Sequence, residues 1–303
     1  MRRVLVTGGA GFIGSHVVDA LRERGDWPEV LDDLSKGQVT NLSDDVPLHI
    51  GDIADAPRVR ALFEMRRFDA VVHCAAQTNV MRSIAEPALD RRINIDGLQA
   101  VLDASAATSV RRFVFISSGG AIYGETPVPA SESTPPAPTN PYGRHKLEGE
   151  ALVARAPLSS CSLRLSNVYG PRQRSDAEGG VISIFVERIA QGLPLQVFGD
   201  GEQQRDFVHV ADVVDAVLMA LEREEMTGEW NVGTGVATSV NEIVELTRSV
   251  APASIEVTHL PERGEVRRSC LDVAKLRSLG WQPRRELSGA LASLVGAAIR
   301  AAV

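Results

Sequence analysis

Two residues four positions apart, Tyr142 and Lys146, have the types and the spacing to do proton chemistry. They stand in the segment NPYGRHK, at the end of a run of six prolines between Pro127 and Pro141. A helix naturally begins where such a run ends, and residues i and i+4 share one helix face. Since the chain has only three tyrosines and three lysines, chance would supply roughly 0.03 such pairs. We therefore predict a phenol and an ammonium on the same side of a helix that starts at Tyr142; a solvated surface pair is the alternative.

A glycine-rich turn, TGGAGFIG, lies near the N-terminus between an apolar strand and an amphipathic helix. Glycines let the backbone approach a pyrophosphate, and the helix N-terminus presents unpaired N–H donors to it. The turn therefore predicts dinucleotide binding, with an unrelated glycine turn as the alternative. The residues predicted to contact the cofactor here are Gly8, Gly11, Phe12, Ile13 and Gly14.

Asp32 closes the second predicted strand, where a carboxylate can accept hydrogen bonds from both ribose hydroxyls of NAD. Its charge would repel the extra phosphate of NADP; Asp33 adds to that repulsion and Lys36 weakens it. The sequence therefore predicts NAD as the cofactor, and a role for Asp32 as a turn cap is the alternative. After the third strand, Asp52 and Ile53 are expected to flank the adenine.

The composition excludes several classes of protein. The chain has 303 residues, 44% hydrophobic and 23% charged, which suits one large α/β domain with an appendage, or two domains. A net charge of −7 argues against nucleic acid as a partner. Three widely spaced cysteines indicate reduced thiols, so we expect a cytoplasmic protein. The six histidines lack metal-ligand spacing and no apolar run is long enough for a signal peptide or membrane span, so we expect neither metal nor membrane.

The first half of the sequence alternates short apolar runs with helix-like segments, which is typical of a parallel sheet covered on both faces. Strands are predicted at Val4–Val6, Val30–Leu31, Leu48–Ile50, Ala70–His73, Phe113–Ile116, Ser162–Leu165, Leu195–Phe198 and Trp230–Val232. Helices are predicted near Ile13–Arg24, Arg58–Arg67, Ala88–Ala107, Val181–Gln191 and Ala211–Leu221, besides the one from Tyr142. Because proline removes a ladder donor, we expect the second strand to begin after Pro28.

The predicted fold class is α/β: a Rossmann-type doubly wound parallel sheet with a smaller mixed α/β C-terminal substrate-binding cap. We expect a dinucleotide-binding domain at 1–168, whose sheet is completed by later segments at about 205–235. The cap is expected mainly at 169–303, interwoven with the sheet.

Motifs along the whole chain carry a family resemblance. In order and spacing, the chain resembles the extended short-chain dehydrogenase/reductases, and most of all the UDP-glucose 4-epimerases and kindred sugar-nucleotide epimerases. The motifs are TGGAGFIG, Asp32, GDI, HCAAQ, SSGGAIYG, YGRHK, NVYGPRQ, GDGEQQRDFVHVADV, NVGTG and SCLD. The similarity runs from about Val4 to Gln282; the glycine turn and the Tyr–Lys pair are superfamily-wide, whereas NVYGPRQ and RDFVHV point to nucleotide-sugar enzymes.

The resemblance implies NAD-dependent epimerisation at C4 of a UDP-sugar, UDP-glucose and UDP-galactose first. In that chemistry Lys146 holds the nicotinamide ribose, and Tyr142 takes the proton of the 4-hydroxyl while C4 gives up a hydride. Related dehydratases carry an Asp-Glu pair in the segment that reads SSGGAIY here and holds no acid, which favours epimerisation over dehydration. Many of these epimerases place a hydroxyl where Gly119 stands, so we assign the catalytic hydroxyl to Ser118, with capping of the fifth strand as the alternative. Further cofactor contacts implied by the resemblance are Ala75, Ala76, Gln77, Asn94 and Ser117.

The resemblance also implies the residues that bind the substrate. Asn167 and Arg205 resemble diphosphate ligands, and Val197 and Phe198 resemble the segment beside the uracil. The arginine of a later R-x-G-D/E motif is shifted by one residue here, to Arg263. Ser269 aligns with a gate where a bulky tyrosine restricts N-acetyl sugars, so its small size predicts that UDP-N-acetylglucosamine is admitted; a surface serine without a role is the alternative. The complete predicted substrate set is Ser118, Tyr142, Asn167, Val181, Val197, Phe198, Arg205, Arg263, Glu265 and Ser269.

Three further expectations stay open at this stage. In relatives the helix with the Tyr–Lys pair contributes to a four-helix interface, so a homodimer is expected. A UDP-glucuronate 4-epimerase and a sugar-nucleotide reductase are the alternative enzymes. A nucleotide-sensing protein without turnover is the alternative from another class, and an intact Tyr142–Lys146 pair argues against it.

Overall fold

The computed structural model describes residues 1–175, 180–251, 255–262, 264 and 266–302. The chain divides into two compact units, each assembled from three segments. Unit 1 comprises Met1–Ile122, Pro138–Leu165 and Val214–Trp230. Unit 2 comprises Tyr123–Ala137, Ser166–Val213 and Asn231–Val303.

The strands of the described residues are numbered in chain order. They are β1 (Arg3–Thr7), β2 (Trp27–Asp32), β3 (Leu48–Ile50), β4 (Ala70–His73), β5 (Arg112–Ser118), β6 (Ser159–Leu165), β7 (Asn167–Tyr169), β8 (Leu195–Phe198), β9 (Gln204–His209), β10 (Gly228–Val232), β11 (Ala237–Ser239), β12 (Val257–Leu260) and β13 (Arg268–Ser269).

The α-helices of the described residues are numbered in the same way. They are α1 (Phe12–Glu23), α2 (Ala56–Arg66), α3 (Val80–Ala85), α4 (Pro87–Arg91), α5 (Leu98–Ala106), α6 (Gly119–Ile122), α7 (Pro141–Arg155), α8 (Val181–Ala190), α9 (Val210–Glu222), α10 (Val240–Val250), α11 (Ala274–Arg277) and α12 (Leu287–Ala302). None of the helices described is both long enough and apolar enough to cross a membrane.

A seven-stranded sheet in the order β10-β6-β5-β4-β1-β2-β3 forms the centre of the first half of the fold. All neighbouring pairs from β3 to β6 run parallel. The strand order reverses between β1 and β4, and ligands of such sheets bind beyond the carboxyl ends of the strands at this point. The Rossmann-type parallel sheet predicted from the sequence is confirmed.

The second strand differs from the prediction, because β2 begins at Trp27 and includes Pro28. Its N–H groups alternate between the two neighbours: that of Trp27 donates to the carbonyl of Arg2, and that of Val30 donates to the carbonyl of Pro47. Position 28 therefore faces the β3 side, and β3 starts only opposite Val30. Proline is tolerated there because no strand lies opposite to accept a hydrogen bond.

The helix predicted over Ala88–Ala107 is interrupted. Residues Arg92–Gly97 form a π-helical stretch between α4 and α5. Gly97 packs on Ile53, whose Cδ1 atom lies 2.7 Å from where a Cβ of residue 97 would be. Such π-helical stretches often occur near functional sites, and this one carries Asn94, a predicted cofactor ligand.

Unit 1 has an apolar core in which the sheet packs against α2, α5 and α7. Its buried members include Leu5, Val71, Phe113, Phe115 and Val153. Each parallel strand that contributes to this core contains a continuous apolar run in the sequence, because the sheet is covered on both faces. The core thus fixes α7 against β5, which positions the catalytic candidates of both elements.

Unit 2 has a separate core and two small sheets. Strand β9 pairs with β7, β11 and β13, and β8 pairs with β12. The core members include Phe185, Leu195, Val197, Ile243 and Leu291, contributed by α8, β8, α10 and α12. The described substrate ligands predicted in the second half lie on this framework: Asn167, Val181, Val197, Phe198, Arg205 and Ser269.

Candidate functional site

Helix α7 begins where its local sequence dictates. Asn140 is the N-cap, and its side chain accepts a hydrogen bond of 2.9 Å from the N–H of Gly143. Pro141 occupies the first helical position, where its missing N–H costs nothing. The helix therefore starts one residue before the predicted Tyr142 and brings Tyr142 and Lys146 onto one face.

The two side chains of the pair are buried next to each other. Tyr142 is 9% exposed and Lys146 is 4% exposed. The Nζ atom of Lys146 lies 5.9 Å from the centre of the Tyr142 ring and 4.8 Å from the centre of the Phe115 ring. It donates a hydrogen bond of 2.9 Å to the carbonyl oxygen of Ile116, at the end of β5. The predicted surface pair, the alternative to an acid–base pair, does not fit this burial.

Burial lowers the pKa of Lys146 to about 8, because the ammonium loses its hydration. The charges of Asp90 and Glu150 act in the opposite direction and favour the ammonium. His73 lies in the same region, and burial lowers its pKa to about 3, so its ring is neutral. At neutral pH Lys146 is thus a cation, and it begins to lose its proton when the pH rises by about one unit.

A buried ion pair lies one helical turn beyond Lys146 on α7. Glu150, one helical turn further along α7, lies 2.6 Å from Arg164 of β6, and both residues are at most 4% exposed. The hydroxyl of Ser117 donates a hydrogen bond of 2.6 Å to Glu150. Ser117, predicted as a cofactor ligand, is thus bonded inward and ties the end of β5 to α7.

Ser118 is placed at the junction of β5 and α6. Its Oγ atom accepts a hydrogen bond of 3.3 Å from the N–H of Ala121, so it caps the short helix α6. The capping alternative predicts a cap at the end of β5; this contact caps α6 instead, and it uses the hydroxyl only as an acceptor. Ser118 keeps an O–H with which it can donate to a substrate oxygen. Gly119 follows it as the first residue of α6.

The glycine turn forms a tight cradle of backbone. Gly8 has a φ of +67°, and a Cβ there would lie 2.7 Å from the nitrogen of Ala75. A Cβ on Gly14 would lie 2.2 Å from the carbonyl oxygen of Gly8. Side chains at these two positions would collide with backbone, so the glycines let the turn pack tightly against the segment after β4 and against the first turn of α1, whose N–H groups can meet a pyrophosphate. The cradle fits a dinucleotide cofactor. Its remaining predicted members are Gly11, Phe12 and Ile13.

Asp32 and Asp33 have different surroundings. Asp32 is 7% exposed and accepts hydrogen bonds from the N–H groups of Ala10, at 2.9 Å, and Leu34, at 2.8 Å. Burial raises the pKa of Asp32, and these two donors oppose the rise. Each carboxylate oxygen has a further lone pair with which it can accept a ribose hydroxyl. Asp33 is exposed, and its carboxylate accepts from the N–H and hydroxyl of Ser35 within its own turn.

Asp52 and Ile53, the residues predicted beside the adenine, differ in which of their groups can contact a ligand. Asp52 bonds to the N–H of Ala54 and to Arg92, at 2.7 Å. The Ile53 side chain is part of the unit 1 core, so its backbone is what can face a ligand. The N–H of Ala75 donates to the hydroxyl of Thr7, at 3.3 Å.

Gln77 and Asn94 bond to each other. The N–H of Gln77 donates to Oδ1 of Asn94, and Nδ2 of Asn94 donates back to the carbonyl of Gln77. Together with Ala75 and Ala76, Gln77 belongs to the segment directly after β4, at the carboxyl edge of the sheet. The structure thus brings this segment, the glycine turn and α7 together within unit 1.

The described substrate residues of unit 2 lie on its two small sheets and at the start of α8. Asn167 on β7 pairs with Phe207 of β9, and Ser269 on β13 pairs with Arg205 of the same strand. Ser269 is 8% exposed, so it is a buried serine and not a surface one, and its role as a gate stays a prediction. Val197 is fully buried in the unit 2 core, next to Phe198, and Val181 begins α8. Arg263 and Glu265 lie outside the described residues.

Sequence reasoning missed the buried charged residues around the pair, Asp90, Glu150 and Arg164, and the half-buried His145. Glu150 could have been found, because it lies four residues after Lys146 on the same helix face. Asp90 carries no local signal, since its partner His145 is 55 residues away.

Comparisons with known proteins extend over nearly the whole chain. The family model of the NAD-dependent epimerase/dehydratase family matches residues 4–233. A UDP-glucose 4-epimerase of Mycolicibacterium smegmatis is 39% identical over 305 residues, 97% of each chain. A UDP-glucose 4-epimerase of Thermotoga maritima solved with UDP-glucose superposes with a TM-score of 0.93 at 41% identity, covering 97% of each chain. That of Thermus thermophilus in complex with NAD gives a TM-score of 0.94 at 39% identity, covering 99% of this chain and 100% of the other.

Proposed function

Because this chain belongs to the NAD-dependent epimerase/dehydratase family, we propose that it interconverts the C4 epimers of a UDP-sugar, UDP-glucose and UDP-galactose first. One observation carries the proposal: Tyr142 and Lys146 are buried side by side on α7, and Lys146 is bonded to the end of β5. A protein that only senses a nucleotide needs no buried phenol next to an ammonium.

In the proposed reaction Tyr142 is the general base, and its Oη atom takes the proton of the sugar 4-hydroxyl. Lys146 stabilises the phenolate through its positive charge, and its remaining N–H donors can hold the nicotinamide ribose. NAD, when bound, supplies a hydride acceptor that takes the C4 hydrogen and later returns it to the other face. Tyr142 then gives the proton back to the 4-oxygen of the keto sugar, so protons and electrons balance over one cycle. The Ser118 hydroxyl is assigned to hydrogen bonding with that oxygen.

We assign cofactor binding to unit 1 and nucleotide binding to unit 2. Asp32 selects NAD by accepting the ribose hydroxyls, as its buried carboxylate at the end of β2 allows. Asn167 and Arg205 are assigned to the diphosphate, since a guanidinium can donate two parallel hydrogen bonds to it. Val197, whose side chain is in the core, can contribute to the uracil side only through its backbone.

Ser269 supports a broader substrate range. A small buried residue leaves room for a larger sugar substituent, so we propose that UDP-N-acetylglucosamine is also a substrate. The homodimer expected from the sequence stays a prediction, and light scattering at micromolar concentration tests it.

The deciding experiment incubates the purified protein, without added cofactor, with UDP-glucose, UDP-galactose, UDP-N-acetylglucosamine and UDP-glucuronate. Resolved C4 epimers support the proposal, and failure to convert any of the four refutes it. In a separate incubation with NADH added, stoichiometric consumption of NADH would indicate a reductase instead. Tyr142→Phe should keep NAD bound and lower turnover by about 100-fold or more, the usual contribution of a general base. A fully active variant would refute the assigned base.

A further inference from the structure

Asp90 is a buried carboxylate that the proposed reaction does not use. It lies on α4 and is 1% exposed. Its Oδ1 atom accepts a hydrogen bond of 2.6 Å from Nε2 of Gln77, and its Oδ2 atom lies 2.5 Å from Nδ1 of His145. Taking such a charge out of water is costly, so its place next to these two partners calls for an explanation.

The two partners of Asp90 belong to different parts of the site. Gln77 lies in the segment after β4 and is bonded to Asn94, another predicted cofactor ligand. His145 lies on α7, directly before Lys146 and three residues after Tyr142. Asp90 therefore connects the segment assigned to the cofactor with the helix that carries the proposed base.

Asp90 is also one of the charges that face Lys146. The other is Glu150, from α7 itself; His73 on β4 and Cys74, directly after β4, also face Lys146 but are neutral. The charge of Glu150 is already matched by Arg164, at 2.6 Å. Burial raises the pKa of the Cys74 thiol to about 12, so the thiol is uncharged at neutral pH. Asp90 is thus the facing carboxylate that is bonded to Gln77 and His145 rather than to an arginine.

We propose that Asp90 is a positioning residue of the reaction, which holds the cofactor segment against α7 and keeps Lys146 in its ammonium form. The inference rests on the proposed function, since it assigns the ammonium its role in that reaction. Asp90 itself touches neither substrate nor cofactor in this scheme; it acts through Gln77, His145 and Lys146.

The test is Asp90→Asn, because an amide keeps an oxygen for Gln77 and an N–H that can reach the His145 ring while it removes the charge. The titration of Lys146 should move to lower pH by about half a unit or more. The upper pH limit of turnover should move in the same direction, with kcat falling more than KM changes. Asp103→Asn is the matched control, since Asp103 is exposed on α5 and bonded to Gln99; it should shift neither.

Lysine labelled with ¹³C at Cε reports the titration without any turnover. The chain has three lysines, Lys36, Lys146 and Lys275, so three signals are expected. The signal absent in Lys146→Arg identifies the buried one. His145→Gln is the second variant: it keeps a donor for Asp90 but carries no positive charge, so the Lys146 titration should stay or move to higher pH.

The outcomes separate the two proposals. If the wild type converts no UDP-sugar, the proposed function is wrong, whatever the lysine signals show. If the wild type is active and Asp90→Asn leaves both the Lys146 titration and the pH profile unchanged, the inference is overturned. A downward shift of equal size in Asp90→Asn and His145→Gln would also overturn it, because general disruption of the site would then explain both.

Discussion

The Nζ atom of Lys146 lies 2.9 Å from the carbonyl oxygen of Ile116, so the ammonium of α7 is bonded to the end of β5. Ser117 and Ser118 directly follow that carbonyl in the chain. Because Ser117 is in turn bonded to Glu150 of the same helix, two side chains of α7 hold the last residues of the strand. These bonds thereby fix the position of the proposed hydroxyl donor, Ser118, relative to the proposed base, Tyr142.

The burial of Lys146 predicts how activity depends on pH. With a pKa lowered to about 8, the ammonium is the main form below that pH and is lost as the pH rises through it. Turnover that needs the cation should therefore decline above about pH 8. Initial rates at saturating substrate, measured across this range, give the profile.

The sign of the stability effect gives an independent check on this decline. Between about 8 and 10.5 the unfolded chain holds the Lys146 proton that the folded chain has released. Stability contributed by this group therefore rises with pH in that window. Lys146→Met should remove the part of the pH dependence of stability that Lys146 contributes. If that part is a fall in melting temperature over the pH range in which activity is lost, the lowered pKa assigned to Lys146 is wrong.

The contrast between Asp32 and Asp33 predicts which carboxylate selects the cofactor. Asp32→Asn keeps the shape of a buried side chain and removes its charge, so NAD should bind about tenfold or more weakly. The ratio of NAD affinity to NADP affinity should also fall in this variant. Asp33→Asn is the control, because Asp33 is exposed and bonded within its own turn; a change below about threefold is expected. Calorimetric titration of both cofactors decides, and equal losses in the two variants would contradict the assignment.

The glycine cradle predicts a steric cost at Gly14. An added Cβ would meet the carbonyl oxygen of Gly8 at 2.2 Å, and backbone cannot move away cheaply. Gly14→Ala should lower the free energy of unfolding by about 1–3 kcal/mol and weaken NAD binding. Gly51→Ala in the same unit is the control, because its Cβ would meet the flexible side chain of Arg58 at 3.0 Å. Urea unfolding of the two variants measures the difference; equal stabilities would show that the cradle has room.

Local signals explain which parts of the fold and site could be predicted from the sequence. The glycine turn and the start of α7 depend on residues a few positions apart, and Pro141 with Asn140 determines the helix start. Long-range contacts could not be predicted in this way. Pro28 is accommodated only because β3 is short, and the π-helical stretch accompanies the packing of Gly97 on Ile53.

The same distinction holds for the charges of the site. The carboxylate of Asp90 reaches α7 from α4, 55 residues away from His145, and the guanidinium of Arg164 reaches it from β6, 14 residues after Glu150. Their burial follows from how the elements pack, and single-sequence spacing does not encode it.

The Glu150–Arg164 pair predicts a large loss of stability when one charge is removed. Glu150→Gln would leave the buried guanidinium of Arg164 without its counter-charge, so the free energy of unfolding should fall by about 3 kcal/mol or more. Glu148→Gln, on the same helix, breaks an exposed pair with Arg91 and should cost at most about 1 kcal/mol. Denaturant unfolding of both variants gives the comparison, and a cost of Glu150→Gln no larger than that of Glu148→Gln would mean that the pair contributes little.

Ser269 predicts how the substrate range can be narrowed. A tyrosine in place of this small, buried residue should exclude the N-acetyl group, so activity on UDP-N-acetylglucosamine relative to UDP-glucose should fall about tenfold or more. Ser269→Ala keeps the site small and should leave the ratio unchanged. Because tyrosine must fit next to β9, Ser269→Thr serves as a smaller step and should move the ratio in the same direction. Circular dichroism and NAD binding establish that each variant is folded. An unchanged activity ratio in folded Ser269→Tyr would refute the gate, because the gate depends only on the size of the side chain at position 269.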